Sequence, residues 1–171
     1  MELPSHEQHR AAARDRGALA VAVLTVSDSR VPESDASGGY LCQALSAAGH
    51  ALADYRIVPD EPDRLREALD ALAEGDARAV LINGGTGISR RDRTYGTLAA
   101  GLETTLPGFG ELFRMLSWEQ VGAAAMLSRA LAGTWRGLLV FSMPGSPKAV
   151  QLAWERLIAP ELAHLVWELD R

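Results

Sequence analysis

The segment with the clearest chemical character combines glycines with arginines. A glycine-rich tetrapeptide is followed closely by three arginines: Gly84, Gly85, Thr86 and Gly87, then Arg90, Arg91 and Arg93. Glycines let a backbone turn tightly against a ligand, successive N–H groups can bind an anion, and guanidinium groups pair with phosphate. The segment therefore predicts a phosphate or polyphosphate site. A sharp strand-to-helix turn beside a solvated arginine cluster would leave the same pattern, and the spacing matches neither common nucleotide-binding glycine motif.

Two aspartates are candidates for metal-assisted phosphate chemistry. Asp92 lies inside the arginine cluster, and Asp60 follows a predicted strand. Two carboxylates that converge from separate strand ends would suit one Mg²⁺ bridging phosphate oxygens. Two alternatives remain open: Asp92 could pair with an arginine, and Asp60 could serve the first turn of the helix that follows it.

Two further segments carry polar residues directly after predicted strands. Ser27 and Asp28 are good turn residues, and their side chains could also accept hydrogen bonds from the N–H groups of a heterocycle. The other segment is Pro144-Gly145-Ser146-Pro147-Lys148, which opens a helix whose N-terminus favours an anion. Lys148 is the only lysine of the chain and stands where a cation opposes the helix dipole. It is either a phosphate ligand or an exposed surface residue.

The strands that must position these residues are short and apolar. They are predicted at residues 18–26, 51–58, 78–83 and 138–142. They alternate with helices, so the pattern predicts an α/β fold with a mostly parallel sheet. Because ligands of such folds bind outside the carboxyl ends of the strands, all four polar segments are expected along one edge of the sheet.

The helices are predicted from apolar spacing and capping residues. They cover residues 38–48, 62–72, 94–101, 107–116 and 117–132, and a last helix begins at 147. Ser37 is the expected cap of the first helix. Ser117 and Gln120 have the spacing of a capping box, with Gly133 as the matching stop. Pro160 is expected to kink or restart the last helix.

Composition limits the class of protein. The chain has 171 residues, 47% of them hydrophobic, one cysteine and a net charge of −5. These values indicate a single domain over residues 18–171 behind a polar, mobile tail at 1–17. The acidic balance argues against a general nucleic-acid partner, and no apolar run is long enough to span a membrane. Without a signal peptide, the expected location is the cytoplasm.

Several motifs occur together in order along the chain. They are Thr25-Val-Ser-Asp28, Asp35-Ala-Ser-Gly38, Ile57-Val-Pro-Asp60, Asn83-Gly-Gly-Thr-Gly-Ile-Ser-Arg-Arg-Asp-Arg-Thr94, Leu106-Pro-Gly-Phe-Gly-Glu-Leu-Phe-Arg-Met115, Leu127-Ser-Arg-Ala130 and Met143-Pro-Gly-Ser-Pro-Lys148. Over residues 18–169 the sequence resembles the molybdenum cofactor biosynthesis protein B family, which is close to the molybdopterin adenylyltransferases. The segment from Asn83 to Thr94 is the most specific part.

The resemblance implies a three-layer α/β/α sandwich that assembles as a homotrimer or homohexamer. It also implies a reaction, in which molybdopterin and Mg-ATP bind and AMP passes to the molybdopterin phosphate with release of pyrophosphate. Molybdopterin is then the substrate, ATP the co-substrate and Mg²⁺ the cofactor. Other enzymes of molybdenum cofactor biosynthesis are possible partners.

The resemblance also assigns roles to individual residues. Asp60 and Asp92 match the acidic positions that hold Mg²⁺ and position the nucleophile. The remaining matches are binding positions: Gly84, Gly85, Thr86 and Gly87 around phosphate, Ser27 and Asp28 in the same pocket, Ser117, Ser128 and Arg129 near the pterin, and Pro144, Gly145, Ser146 and Lys148 in a second glycine loop.

One segment departs from the family pattern. After Thr94 the family usually continues Pro-Glu-Ala, whereas this chain has Tyr95-Gly96-Thr97. The departure leaves room for a non-catalytic protein that binds or presents molybdopterin in the same pathway. A more remote alternative is another phosphate-ligand enzyme on the same scaffold, because fold alone does not fix function.

Overall fold

A six-stranded sheet forms the middle layer of the structure, a computed structural model that describes residues 17–171. The strands are β1 (Ala20–Val26), β2 (Ala51–Val58), β3 (Ala79–Asn83), β4 (Thr104–Thr105), β5 (Leu131–Trp135) and β6 (Leu138–Met143). Their order is β2-β1-β3-β6-β5-β4. Strands β2, β1, β3 and β6 are parallel, and β5 runs antiparallel to both of its neighbours, β6 and β4. The predicted mostly parallel sheet is confirmed. Apart from Gly17, the predicted tail lies outside the described residues.

Helices cover both faces of the sheet, so the predicted three-layer sandwich is also confirmed. The helices are α1 (Ala36–Ala47), α2 (Pro62–Ala73), α3 (Thr94–Gly101), α4 (Pro107–Val121), α5 (Pro147–Ala153) and α6 (Ala159–Leu169). One core is formed by the sheet with α1, α4, α5 and α6, and the other by the sheet with α2 and α3. Because β1, β3 and β6 are buried on both faces, their sequences are almost continuously apolar.

The cap of α1 differs from the prediction. Asp35, not Ser37, caps the helix, and its Oδ1 accepts a hydrogen bond of 3.0 Å from the Gly38 N–H. Ser37 lies fully buried in the first turn, and its hydroxyl donates to the Gly145 carbonyl at 2.8 Å. Aspartate and serine are both good helix caps. Asp35 takes this position because its carboxylate also accepts hydrogen bonds from the hydroxyls of Thr25 and Tyr55.

The helix predicted at 107–116 is present, but the separate helix predicted at 117–132 is wrong. A single helix, α4, runs to Val121 and ends at Gly122, which has a φ of 58°. A 3₁₀ segment, Gly122–Leu127, follows, and then comes β5, which the sequence did not predict. Ser117 is buried inside α4, so it is not a helix cap.

A tight hairpin connects β5 to β6. Its two turn residues, Arg136 and Gly137, have φ angles of 47° and 81°. Two central residues with positive φ are typical of the turn that matches the twist of antiparallel strands. The hairpin adds β5, and through it β4, to the edge of the parallel sheet.

The end of the chain follows the prediction more closely. The Ser146 hydroxyl accepts a 3.2 Å hydrogen bond from Ala149 N–H and caps α5, with Pro147 in the first turn. A π-helical turn at Trp154–Ile158 then leads into α6, whose first turn contains Pro160. The predicted restart at Pro160 is therefore confirmed. No helix within residues 17–171 is both long and apolar enough to cross a membrane.

Candidate functional site

The four predicted polar segments meet at the carboxyl edge of the parallel strands. The Ser27 N–H donates to the Val58 carbonyl at 2.9 Å, which joins the ends of β1 and β2. The Gly84 N–H donates to the Met143 carbonyl at 3.1 Å, which joins the ends of β3 and β6. The expectation of a single edge is confirmed.

Two glycines allow the loop after β3 to pass between its neighbours. Gly84 and Gly85 have φ angles of 96° and 65°, which side chains of L-residues rarely adopt. A Cβ on Gly84 would collide with the Val26 carbonyl, and one on Gly85 would collide with the Thr94 hydroxyl. The sharp turn and the close approach are therefore both real features of this loop.

The same loop presents a row of unused donors. The N–H groups of residues 85–88 donate no hydrogen bond to any acceptor within residues 17–171. Successive backbone N–H groups that are free of protein acceptors can bind an anion. This row supports the phosphate interpretation over that of a simple turn.

Asp60 closes one side of this loop by capping α3. One of its carboxylate oxygens, Oδ1, accepts hydrogen bonds from the Thr94 N–H and the Thr94 hydroxyl, both at 2.9 Å, and from the Arg93 N–H at 3.1 Å. It therefore serves α3 and not the helix that follows it in sequence. Burial raises the pKa of Asp60 and the nearby Asp92 carboxylate adds to this, against the lowering effect of its hydrogen bonds.

Asp92 contacts the loop at Gly87. Its Oδ2 accepts hydrogen bonds from the N–H group (3.0 Å) and the hydroxyl of Ser89, and its carboxylate packs against the Cα of Gly87. It forms no ion pair with an arginine of the described chain, so the alternative of a simple arginine pair is not supported. One oxygen of Asp92 therefore stays available to a ligand.

Asp60 and Asp92 are the two carboxylates beside the glycine loop that could hold a magnesium ion. Asp92 Oδ1 accepts no hydrogen bond within residues 17–171, and Asp60 Oδ2 accepts only the Arg93 N–H at 3.2 Å. Mg²⁺ usually takes one or two carboxylates and completes its shell with phosphate oxygens and water. No group of three or more His, Cys, Asp and Glu residues that could hold a metal ion occurs within residues 17–171.

A cavity of about 390 Å³ lies beside Asp60. Asp28 forms one wall, where its Oδ1 accepts the Asp60 N–H at 3.1 Å and its Oδ2 pairs with Arg91 at 2.9 Å. Arg93 completes the cationic side. Ser27 is placed differently, since its hydroxyl oxygen accepts the Arg30 N–H at 3.1 Å and shapes the turn after β1.

A larger cavity of about 670 Å³ lies on the other face of the sheet edge. Five predicted binding residues line it: Ser117, Ser128, Pro144, Ser146 and Lys148. Gln120, Glu155 and Arg156 also line it and were missed by the sequence reasoning. The last two belong to the π-helical turn, a feature that often marks functional sites but has no simple sequence signature.

The glycine loop lies between the two cavities. Gly85 packs against the Asp60 carboxylate on one side, where a Cβ would come within 3.1 Å of Oδ2. Gly84 packs against Gly145 on the other, where a Cβ on Gly145 would come within 3.0 Å of the Gly84 Cα. The loop thus contacts Asp60, which lines the smaller cavity, and Gly145, whose neighbours Pro144 and Ser146 line the larger one.

A buried network supports the edge from below. The Asp35 carboxylate accepts hydrogen bonds from the hydroxyls of Thr25 and Tyr55, and Thr25 in turn accepts from the Asn83 side chain at 2.8 Å. Burial alone would raise the pKa of Asp35, but these hydrogen bonds, the Gly38 N–H and the Arg30 charge lower it overall. The network thus ties β1, β2 and β3 together just before the glycine loop.

Sequence comparison agrees with this geometry. Residues 22–164 match the family described as a probable molybdopterin binding domain. The chain is 50% identical over 151 residues to the molybdenum cofactor biosynthesis protein B of Bacillus subtilis, covering 87% of this chain and 89% of that one. The chain belongs to the molybdenum cofactor biosynthesis protein B family. The resemblance drawn from the motifs is confirmed.

Two further relatives extend the comparison within the protein B family. The protein B of Halalkalibacterium halodurans is 46% identical over 167 residues, which covers 96% of this chain and 97% of the relative. The crystal structure of the tungsten cofactor synthesizing protein MoaB from Pyrococcus furiosus superposes with a TM-score of 0.82 at 36% identity, covering 90% of this chain and 98% of that one. The shared fold therefore includes nearly the whole described domain.

Proposed function

We propose that this protein acts in molybdenum cofactor biosynthesis by binding molybdopterin and Mg-ATP and transferring AMP to the molybdopterin phosphate. The pathway follows from membership of the protein B family. The observation that carries the chemistry is the row of unpaired N–H groups at residues 85–88 between two cavities, with Asp60 and Asp92 beside it. Phosphate groups from two ligands can meet there.

The reaction needs positioning and charge neutralisation more than it needs protein nucleophiles. An oxygen of the molybdopterin phosphate forms a bond to the α-phosphorus of ATP, and the bond to pyrophosphate breaks. The N–H groups of the loop would hold phosphate oxygens, and Asp60 and Asp92 would hold Mg²⁺, which neutralises phosphate charge when bound. Holding both reactants in one geometry supplies a large part of the rate.

The two cavities suit different ligands. The larger one has a volume typical of small-molecule sites, with polar Ser117 and Ser128 beside apolar Phe113 and Leu152. These groups suit a flat heterocycle with hydrogen-bonding edges, so we assign it to the pterin. The smaller one, with Arg91 and Arg93, suits the polyphosphate of ATP.

A second candidate function is binding and presentation of molybdopterin without chemistry. This function is favoured by the hydrogen bonds of Asp60, because its carboxylate already caps α3 by accepting from Thr94 and Arg93. The replacement of Pro-Glu-Ala by Tyr95-Gly96-Thr97 lies at the same helix start. A purely structural Asp60 would leave only Asp92 for the metal.

We also propose that the protein forms a homotrimer or homohexamer through an apolar surface around the end of α4. Its exposed members are Leu112, Met115, Trp118, Val121, Met126 and Leu127. Several large apolar side chains exposed within one short segment favour an interface. Light scattering on the wild-type protein and on Trp118→Glu should show an oligomer that the charge dissociates; a monomeric wild type would contradict the proposal.

A single-turnover assay tests the proposed reaction. Purified protein is mixed with Mg-ATP and molybdopterin, adenylylated molybdopterin is measured by mass spectrometry, and pyrophosphate is measured separately. Asp60→Asn and Asp92→Asn should abolish product, whereas Asp76→Asn, an exposed aspartate at the opposite end of the sheet, should not. Tight molybdopterin binding without product in the wild type would instead establish the presentation function.

A further inference from the structure

The Arg129 side chain donates hydrogen bonds to backbone carbonyls of the glycine loop. Its Nε donates to the Thr86 carbonyl at 2.9 Å, and its Nη2 donates to the carbonyls of Gly87 and, at 3.4 Å, Asp92. It does not line the larger cavity. Its hydrogen bonds are thus directed at the backbone that carries the candidate phosphate site and not at the cavity assigned to the pterin.

Arg129 has no acidic partner. No carboxylate lies within 4.0 Å of its guanidinium in residues 17–171, although the side chain is half-buried. Its guanidinium therefore brings a positive charge to the backbone of the glycine loop, where it favours an anion.

The contacts of Arg129 also determine where these N–H groups point. A peptide unit is planar and trans, so the N–H of each residue points opposite to the carbonyl of the residue before it. Because the carbonyls of Thr86 and Gly87 point at Arg129, the N–H groups of Gly87 and Ile88 point away from it. These are two of the four unpaired donors.

Tyr95 completes the arrangement from the other side. The Arg129 guanidinium lies 4.9 Å from the centroid of the Tyr95 ring, a distance typical of a cation–π contact. Tyr95 is the residue at which this chain departs from the usual proline of the family. The ring restrains a guanidinium that would otherwise be free to rotate out of reach of the loop.

We propose that Arg129 is a positioning residue that orients the glycine loop to bind phosphate, with Tyr95 as its aromatic support. The inference rests on the proposed phosphate site, and it differs from the direct pterin contact that the family resemblance implies for Arg129. The loop binds the phosphate through its N–H groups, and Arg129 acts through the loop without touching the ligand.

The test measures binding of inorganic pyrophosphate to the full-length protein, by calorimetry and by titration of backbone amide resonances. In the wild type, the Gly87 and Ile88 N–H resonances should shift on binding. Arg129→Lys keeps the charge but not the paired hydrogen bonds, and we expect affinity to fall by about tenfold or more. Arg136→Lys, in the exposed β5–β6 turn, is the matched control.

Variants at Tyr95 separate positioning from general stability. Tyr95→Phe keeps the ring and should bind pyrophosphate as the wild type does. Tyr95→Leu removes the cation–π contact while keeping an apolar side chain, and it should weaken binding and reduce the shifts at Gly87 and Ile88. Circular dichroism confirms that each variant is folded.

Each outcome bears on the proposal. Wild-type affinity in Arg129→Lys would overturn the positioning role. Absence of any pyrophosphate binding to the wild type would overturn both this role and the phosphate site. Loss of binding in Arg129→Lys, together with no AMP transfer by the wild type, would support the positioning role and refute the reaction.

Discussion

Asp60 combines a structural and a proposed chemical task, and two substitutions can separate them. Its carboxylate accepts two hydrogen bonds from Thr94 and one from the Arg93 N–H at the start of α3. Asp60→Ala removes all of these acceptors. Asp60→Asn keeps one acceptor oxygen but removes the charge that a metal ion needs.

The expected losses of stability differ between the two variants. Losing a helix cap costs about 0.5–2 kcal/mol, and losing a negative charge at a helix N-terminus costs about 0.3–1 kcal/mol. Asp60→Ala should therefore lower the free energy of unfolding by about 1–3 kcal/mol. Asp60→Asn should lower it by less than about 1 kcal/mol, because the amide oxygen keeps the cap and burial already disfavours the charged form.

The rate of AMP transfer should depend on the negative charge at position 60 and not on the hydrogen bonds by which this residue caps α3. Metal ions contribute several kcal/mol of charge stabilisation to such reactions, and each 1.36 kcal/mol is a factor of ten in rate. Asp60→Asn should thus lose about 100-fold or more of single-turnover AMP transfer while unfolding in urea close to the wild type. Wild-type activity in Asp60→Asn, or equal destabilisation by Asn and Ala, would refute the reasoning.

Three further predictions concern the surrounding structure. The pKa of Asp35 is lowered in the folded protein. Its contribution to the free energy of unfolding should therefore be complete above its ordinary pKa of 3.8 and should be lost as the pH falls below that value. Asp35→Asn should remove this part of the acid dependence in urea titrations. Gly85→Ala forces a residue with a Cβ into positive φ, so it should lower the free energy of unfolding by at least about 1–2 kcal/mol and abolish pyrophosphate binding. Gly96→Ala, in open space on α3, is the control and should raise the free energy of unfolding by up to about 1 kcal/mol. Ser37→Ala removes the hydrogen bond to the Gly145 carbonyl and should lower the free energy of unfolding by about 1 kcal/mol. Ser46→Ala, at an exposed position of α1, should cause no measurable change. Equal effects of the two substitutions would contradict this prediction.

The sequence predicted those parts of the fold that depend on local pattern. The runs of β1, β3 and β6 are apolar along their whole length, and Ser146-Pro147 opens a helix by local geometry alone. The parallel arrangement then followed from the alternation of strands and helices. This was enough to place the polar segments at one edge.

The errors arose where distant contacts decide. Ser117 has capping-box spacing, yet it lies inside α4, buried on the same face of the helix as Phe113 and Leu116. The strand β5 contains alanine and glycine, which are weak strand formers, and it exists because the turn at Arg136 folds it onto β6. An Arg-Gly turn lacks the asparagine or aspartate that would have signalled a hairpin.

The candidate site shows the same division. Its residues at strand ends could be predicted, because topology alone brings them together. The contacts of Arg129 with the loop carbonyls, and the wall formed by Arg156, depend on three-dimensional packing of segments distant in sequence. No spacing in the sequence signals either of them.

The strand order has a consequence for the time at which the site can form during synthesis. The hairpin of β5 and β6 can close within microseconds once both strands exist, because its turn has only two residues. The Gly84 loop, in contrast, needs the Met143 carbonyl and the backbone of Gly145, which lie late in the chain. We therefore expect a ribosome-bound chain shorter than this point to contain the glycine loop and yet to have no phosphate affinity.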